Sequence, residues 1–142
     1  NMSGRLNKGL IFIALLAAIP LSCEELNSWF VDCSQCFKDK ISHSDITVKL
    51  TINDENPWVI FDVYRGNTDS GELLFTDTSV VAEYYWRAEI NQFYSVKARY
   101  SCKGRVIYVV DGAMLKTKLE SSACDEKCYT IHGDVLDARL KY

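Results

Sequence analysis

The sequence has little of what enzymes and nucleic-acid-binding proteins usually require. It contains only two histidines, and none of its serines stands in a Gly-x-Ser-x-Gly elbow. Glycine-rich phosphate loops, His-Glu-x-x-His motifs and calcium loops are also missing. Lys and Arg number 16 against 19 acidic residues, which leaves no excess of cations for a nucleic acid. We therefore predict a protein without catalytic activity, cofactor, metal ion or nucleic-acid partner.

The sequence also lacks an apolar run long enough to cross a bilayer as a permanent helix, which needs about 20 residues. The longest run, LIFIALLAAIPL, covers residues 10–21. Arg5 and Lys8 precede it, and no acidic residue does. A short basic region followed by an apolar stretch of this length is typical of a secretory signal peptide, which we predict over residues 1–22.

The apolar run ends in a cysteine. Residues 21–23 (LSC) resemble the lipobox of bacterial lipoproteins, in which the cysteine is diacylated and becomes the first mature residue. The acids at positions 24 and 25 resemble the surface-export signal of Bacteroidetes lipoproteins. We therefore predict that Cys23 is lipidated and holds the protein in the bacterial cell envelope, at the outer membrane or cell surface. A simple cleavage site that leaves Cys23 free for a disulfide is the alternative.

The rest of the chain has almost no helical periodicity. From residue 45 onward apolar and polar residues alternate, as they do for Ile46, Val48, Leu50 and Ile52, and this period is typical of strands with one buried face. Turn-forming residues interrupt the pattern roughly every eight to twelve residues, as in two-sheet folds. The pattern fits a two-sheet sandwich or a small barrel, and we predict an all-β sandwich of seven to eight strands over residues 45–142. A tether with the lipidated cysteine is predicted over residues 23–44.

The clearest predicted strand covers residues 94–102, followed by a tight turn at Lys103-Gly104 and a hairpin partner over 105–110. A second turn is predicted at Asp111-Gly112, before another strand over 113–119. The strand over 94–102 resembles the penultimate strand of immunoglobulin-like and fibronectin-like domains, which implies a sandwich of that kind. Its predicted inward face, with a buried thiol at the end, consists of Tyr94, Val96, Ala98, Tyr100 and Cys102.

Four further cysteines form two pairs. Cys33 and Cys36 lie just before the first predicted strand, and Cys124 and Cys128 lie just before the last. An exported protein meets oxidising surroundings, so we predict two disulfides among them. Bridges between the pairs are favoured because the flanking strands are expected to lie side by side, although four cysteines allow three connectivities. A four-thiolate zinc site and a thioredoxin-type redox pair at Cys33 and Cys36 are the alternatives.

Several motifs along the mature chain occur together in one group of proteins. They are Cys33-x-x-Cys36, Tyr94-Ser-Val-Lys-Ala98, Val110-Asp111-Gly112, Cys124-Asp125-x-x-Cys128-Tyr129 and Leu136-Asp137-x-x-Leu140. With them the chain resembles small Bacteroidetes-type lipoproteins of unknown function. The resemblance implies an exported, anchored β domain, and it carries over no catalytic residue.

Three aromatic residues follow one another at Tyr84, Tyr85 and Trp86. Because side chains alternate across a strand, at least one of these rings is expected to face away from the core. Exposed rings stack on sugars or anchor protein partners. We therefore predict a non-catalytic accessory or protein-interaction module anchored to the membrane. A surface protein that binds a glycan or small ligand through these three residues is the alternative.

Overall fold

The computed structural model describes residues 32–120, 124 and 126–142. The predicted signal peptide, the predicted anchor at Cys23 and the first part of the predicted tether lie outside the described residues. A short 3-10 helix, Cys33–Gln35, stands near the start of the described chain. Asp32 caps this helix, because its Oδ1 accepts a hydrogen bond of 3.0 Å from the Ser34 amide.

Eight strands in the described residues form two sheets. The three-stranded sheet has the order β4-β1-β8, and the five-stranded sheet has the order β3-β2-β5-β6-β7. All neighbours are antiparallel except β1 and β8, which are parallel. The predicted all-β sandwich is confirmed. The strands are β1 (His43–Lys49), β2 (Val59–Arg65), β3 (Glu72–Ser79), β4 (Glu83–Glu89), β5 (Gln92–Cys102), β6 (Arg105–Leu119), β7 (Tyr129–His132) and β8 (Val135–Asp137).

The core lies between the two sheets and follows the alternation of the sequence. Each of β1, β2 and β5 turns every second side chain inward, and apolar side chains at these positions leave water on folding. Phe61 packs edge to face on Tyr84, with ring centroids 4.8 Å apart. The buried residues of the three strands include Ile46, Val48, Val59, Phe61, Val63, Tyr94, Val96, Ala98 and Tyr100.

Two buried tyrosines of β5 tie the sheets together. The Tyr100 hydroxyl donates to the Ala138 carbonyl at 2.5 Å and accepts from the Thr51 amide at 3.0 Å. The Tyr94 hydroxyl bonds the amide and the carbonyl of Glu89, each at 3.1 Å. Each hydroxyl therefore satisfies backbone groups of the three-stranded sheet or of the segments next to it, which would otherwise be left without a partner.

Strand β6 differs from the prediction, because it is continuous where a turn was expected at Asp111-Gly112. A Cβ on Gly112 would lie 2.9 Å from the Phe93 ring, so glycine is needed there for the close approach of that ring. The Asp111 carboxylate accepts from the Gly112 amide at 2.9 Å and from the Asp137 amide at 2.7 Å. The Asp-Gly pair thus links β6 to β8 and the Phe93 ring. The other predicted turn is confirmed, since Lys103 and Gly104 have φ of 51° and 75°.

Candidate functional site

One end of the sandwich is closed by two disulfides. Cys33 is bonded to Cys124 and Cys36 to Cys128, with Cα–Cα distances of 5.9 Å and 4.9 Å. Both join the two predicted pairs to each other, so the prediction of disulfides is confirmed in the favoured connectivity. Next to them, Phe37 and Tyr129 exchange two backbone hydrogen bonds of 3.1 Å and 2.9 Å. The bridges therefore fix the segment before β1 against β7.

The positions of the sulfur atoms also test the two alternatives to disulfides, a zinc site and a thioredoxin-type redox pair. The Sγ atoms of Cys36, Cys124 and Cys128 lie within 4.8 Å of one another. Zinc binds thiolates, whereas these sulfurs are bonded in disulfides, so a zinc site here would require both bridges to be reduced. Redox pairs of the thioredoxin type place their first cysteine at the start of a helix that follows a strand. The helix here has three residues, and Cys33 and Cys36 are not bonded to each other.

Cys102 has no disulfide partner among the described residues, and it is half-buried rather than buried as predicted. The strand alternation is correct up to Tyr100, which is the last buried residue of β5. Cys102 is the last residue before the Lys103-Gly104 turn, where the hairpin extends past the core. The prediction of a buried thiol was therefore wrong because the strand continues beyond the layer that covers it.

The three consecutive aromatic residues of β4 do not share one face. Tyr84 and Trp86 are half-buried and point toward the core, where their rings lie 6.4 Å and 5.8 Å from that of Phe75. Tyr85 points the other way, is 58% exposed, and donates a hydrogen bond of 2.5 Å to Glu83. This hydrogen bond raises the pKa of the Tyr85 hydroxyl. A single tyrosine, and not a row of three rings, is presented to solvent.

Tyr85 stands at the edge of an open hollow of about 670 Å³ on the outer side of the three-stranded sheet. Asp45, Thr47 and Arg87 line the hollow beside it. In register, Asp45 is opposite Arg87 and Thr47 is opposite Tyr85, so the strand pairing sets these groups side by side. The hollow therefore combines two aromatic rings, those of Phe37 and Tyr85, with charged and hydroxyl groups.

The two histidines of the described chain lack the partners of a catalytic triad. His43 Nδ1 lies 2.9 Å from the hydroxyl of its neighbour Ser42, and His132 Nε2 lies 3.0 Å from that of Thr130. A general base also needs a third group that orients the imidazole through its other ring nitrogen. In the described residues, no hydrogen bond reaches the second nitrogen of either ring. Neither Ser42 with His43 nor Thr130 with His132 therefore has the arrangement of a nucleophile and its general base.

A larger apolar surface lies on the five-stranded sheet, on the side away from the core. Four apolar side chains there are more than half exposed, and two cations stand between them. The strand register places Tyr108 opposite Arg99 and Val110 opposite Lys97. The Lys97 amine lies over the Tyr108 ring, 4.8 Å from its centroid. We call this surface the outer face, and it consists of Trp58, Lys97, Arg99, Val106, Tyr108 and Val110.

A hollow of about 530 Å³ opens at one end of the outer face, between Trp58 and Val106. The loop before β2 lines this hollow, and hydrogen bonds fix its position. The Asn56 side chain donates to the Ser101 carbonyl and accepts from the Ser101 amide, each at 2.8 Å. Glu55 accepts from the Lys103 amide at 2.6 Å. The position of Trp58 beside the hollow is thus set by hydrogen bonds to β5 and its turn.

Sequence reasoning missed the outer face, although a signal for it was present. Residues 106–110 (VIYVV) are apolar at consecutive positions, whereas a strand with one buried face alternates apolar and polar residues. Such a run indicates either a strand covered on both faces or an exposed apolar surface. Only the arrangement of the sheets distinguishes the two, because no described strand or helix packs over this side of β6.

Comparison with known proteins gives no match: no family model, curated protein or solved structure matches the chain. The resemblances to small Bacteroidetes-type lipoproteins and to immunoglobulin-like domains therefore stay predictions. None of the helices in the described residues has the length and apolar character to span a bilayer.

Proposed function

We propose that the protein is an exported, lipid-anchored lipoprotein whose β-sandwich acts without catalysis, as a module that binds a protein partner through the outer face. The observation that carries the proposal is the exposure of Trp58, Val106, Tyr108 and Val110 on one side of one sheet. Apolar side chains scattered singly over a surface are normal, but a continuous group of them is typical of an interaction site.

The composition of the outer face supports a protein partner. Trp, Tyr and Arg are the residues most often found at the energetic centres of protein interfaces, and Trp58, Tyr108 and Arg99 supply all three. Burying apolar surface is worth about 25 cal/mol per Å², so covering these side chains is favourable. The cations Lys97 and Arg99 favour a partner with acidic groups near its apolar contacts.

The supporting strands hold the outer face in place before a partner arrives. β2 and β5 are central strands of the sheet, and β6 pairs with β5 from Arg105 to Leu115, which includes its outer-face residues. Rigid presentation reduces the conformational entropy that binding would otherwise cost. The anchor at Cys23 would keep the module at the membrane, since two or more acyl chains give firm attachment where one is marginal.

A photo-crosslinking residue in place of Trp58 is expected to capture a protein partner when the full chain is expressed in its native cell envelope. The crosslinked species is expected in the membrane fraction, and it is detected by its shift on a denaturing gel. In the same experiment, a Cys23→Ser variant is expected to move to the soluble fraction because it cannot be acylated.

The matched control carries the photo-crosslinker in place of Glu89, an exposed residue of β4 on the other sheet. Equal capture from both positions, or no capture from position 58, would contradict a specific role for the outer face. A Cys23→Ser variant that still fractionates with membranes would contradict the anchor alone.

The hollow beside Tyr85 favours a second candidate function, the binding of a glycan. Sugars are recognised by an aromatic ring that stacks on one face and by polar groups that bond their hydroxyls. Tyr85 supplies the ring, and Asp45, Thr47 and Arg87 supply donors and acceptors along the same hollow. This candidate uses one of the three aromatic residues singled out in the sequence, and not the row.

A panel of soluble polysaccharides in affinity gel electrophoresis tests this candidate. If the hollow binds glycans, at least one polysaccharide slows the migration of the full chain in detergent, and Tyr85→Ala abolishes the effect. Trp58→Ala, which removes an exposed ring from the other sheet, serves as the control and is expected to leave it unchanged. Retardation that survives Tyr85→Ala, or none with any polysaccharide, counts against the glycan site.

A further inference from the structure

The long strand β6 has a partner on only one edge along its first half. β5 pairs with the stretch of β6 from Arg105 to Leu115, whereas β7 pairs only with the stretch from Lys116 to Leu119. Within the part of the chain that the structure describes, no strand and no backbone hydrogen bond reaches the other edge of residues 105–110. We call the backbone of these six residues on that side the open edge.

The hairpin geometry shows which groups lie on the open edge. In a hairpin with a two-residue turn, the residues that flank the turn form a hydrogen-bonded pair, and hydrogen-bonded pairs then alternate along the strands. Here Cys102 and Arg105 flank the turn. Residues 105, 107 and 109 therefore bond to β5, and residues 106, 108 and 110 direct their N–H and C=O groups away from it.

Apart from Arg105 at its start, the open edge carries none of the usual features that prevent strand pairing. Proteins protect exposed edges with charged side chains, above all lysine, and with proline, bulges or very short strands. Residues 105–110 contain neither lysine nor proline, β6 keeps a regular register with β5, and five of the six side chains are apolar. Even on the inward side, Ile107 is 38% exposed. By contrast, the edge strand β4 of the other sheet carries charges at Glu83, Arg87 and Glu89.

We propose that the open edge pairs antiparallel with the open edge of a second copy of the protein. The five-stranded sheets of two copies then form one continuous sheet of ten strands, with a two-fold axis at Tyr108. This pairing goes beyond the proposed function, because it uses the edge of β6 and does not depend on any partner of the outer face.

When the two strands pair with Tyr108 at the centre, apolar residues lie opposite apolar residues and a cation lies opposite an acid. Val106 of each copy lies opposite Val110 of the other, and the two Tyr108 side chains meet at the axis. The N–H and C=O groups of all three residues point away from β5, so each of these pairs exchanges backbone hydrogen bonds between the two copies. Arg105 of one copy lies opposite Asp111 of the other, and opposite charges directly across strands are stabilising. A second copy therefore covers the apolar side chains of the open edge and also supplies a partner of opposite charge for Arg105.

Tyr108→Lys is expected to weaken the dimer of the full chain in detergent about tenfold or more, because two like charges then face each other at the axis. Light scattering over a range of protein concentrations measures the dissociation constant. The matched control is Tyr85→Lys, the same change at an exposed tyrosine of the other sheet, and it is expected to leave the dimer unchanged.

Cysteine crosslinking tests the register in a Cys102→Ser background. In Tyr108→Cys the two new thiols face each other across about 5.5 Å of backbone. In Val106→Cys they are four residues apart along the strands, about 14 Å. A short bis-maleimide is therefore expected to link Tyr108→Cys copies several-fold more than Val106→Cys copies.

Three results of the scattering and crosslinking experiments would overturn the pairing. They are a wild-type chain that is monomeric at every concentration, a dimer unaffected by Tyr108→Lys, and equal or better crosslinking at position 106.

Hydrogen exchange shows whether a second copy, or another segment of the same chain, covers the open edge. The amides of residues 106, 108 and 110 are expected to be protected in the wild-type dimer and to exchange fast in monomeric Tyr108→Lys. Protection of these amides in a monomer would contradict the proposal.

Discussion

Removal of both disulfides is expected to lower the free energy of unfolding by about 7 kcal/mol, whereas removal of either one costs only about 2.6 kcal/mol. The two bridges close almost the same loop, since they span 91 and 92 residues. On the chain-entropy model, one bridge of that span stabilises the fold by about 4.6 kcal/mol. The second then closes a ring of only about 9 residues and adds the smaller amount.

Urea denaturation followed by tryptophan fluorescence measures these differences. The three variants are Cys33→Ala with Cys124→Ala, Cys36→Ala with Cys128→Ala, and all four changes together. Domains of this size have a total stability of about 5 to 15 kcal/mol, so the fourfold variant is expected to be unfolded if the wild type lies at the lower end of this range. Two single-bridge variants that each lose about as much as the fourfold variant would contradict the shared-loop explanation.

Mass spectrometry of the intact chain is the control for the oxidation state. Reduction is expected to add the mass of four hydrogens, two for each bridge described. An unchanged mass together with a bound zinc ion would show that the cysteines form the alternative metal site.

Tyr100→Phe is expected to lower the free energy of unfolding by about 2 to 4 kcal/mol, because it leaves a buried amide and a buried carbonyl without a partner. The two groups are the Thr51 amide and the Ala138 carbonyl, and the Tyr100 side chain that bonds them is 1% exposed. The ring itself is retained, so little packing is lost. Tyr142→Phe, at an exposed hydroxyl near the chain end, is expected to change stability by less than about 0.5 kcal/mol.

Tyr100 is also expected to make the free energy of unfolding fall as the pH rises into the alkaline range. Burial raises the pKa of the Tyr100 hydroxyl above that of an unfolded tyrosine, about 10. The unfolded chain therefore releases this proton first, and the stabilisation present below pH 10 is lost as the pH rises toward the folded pKa. Denaturation at increasing pH should show a shallower fall in Tyr100→Phe than in wild type. Equal slopes would mean that other tyrosines, such as Tyr64 and Tyr84, account for the effect.

The local pattern of the sequence was sufficient to predict most strands, because alternation determines which side chains a sheet can bury. The inward face of β5 from Tyr94 to Tyr100 follows from this rule alone. The disulfide connectivity required one further step, which is that the first and last strands lie side by side. The parallel pairing of β1 with β8 confirms that expectation.

Features that depend on contacts distant in sequence could not be predicted in this way. Asp111-Gly112 is typical of a turn, and only the ring of Phe93 on the neighbouring strand explains why glycine stands inside β6. Likewise Cys102 continues a correct alternation past the point where the opposite sheet ends. The outer face and the open edge arise from the absence of a covering strand, and a single strand's sequence does not reveal its neighbours.

The two disulfides also determine how the domain carries mechanical load. A pull applied at Cys33 and at the far end of the chain passes through the sulfur bridges to Cys124 and Cys128, and only then along the last residues. The covalent path bypasses β1 to β6, so the pull cannot extend the backbones of these strands. Extension is limited to the stretch after residue 128, which is about 50 Å long when straight, whereas an unbridged chain from residue 33 onward would be about 380 Å long when straight. The stretch between the bridged cysteines is thereby protected from unravelling under such a pull.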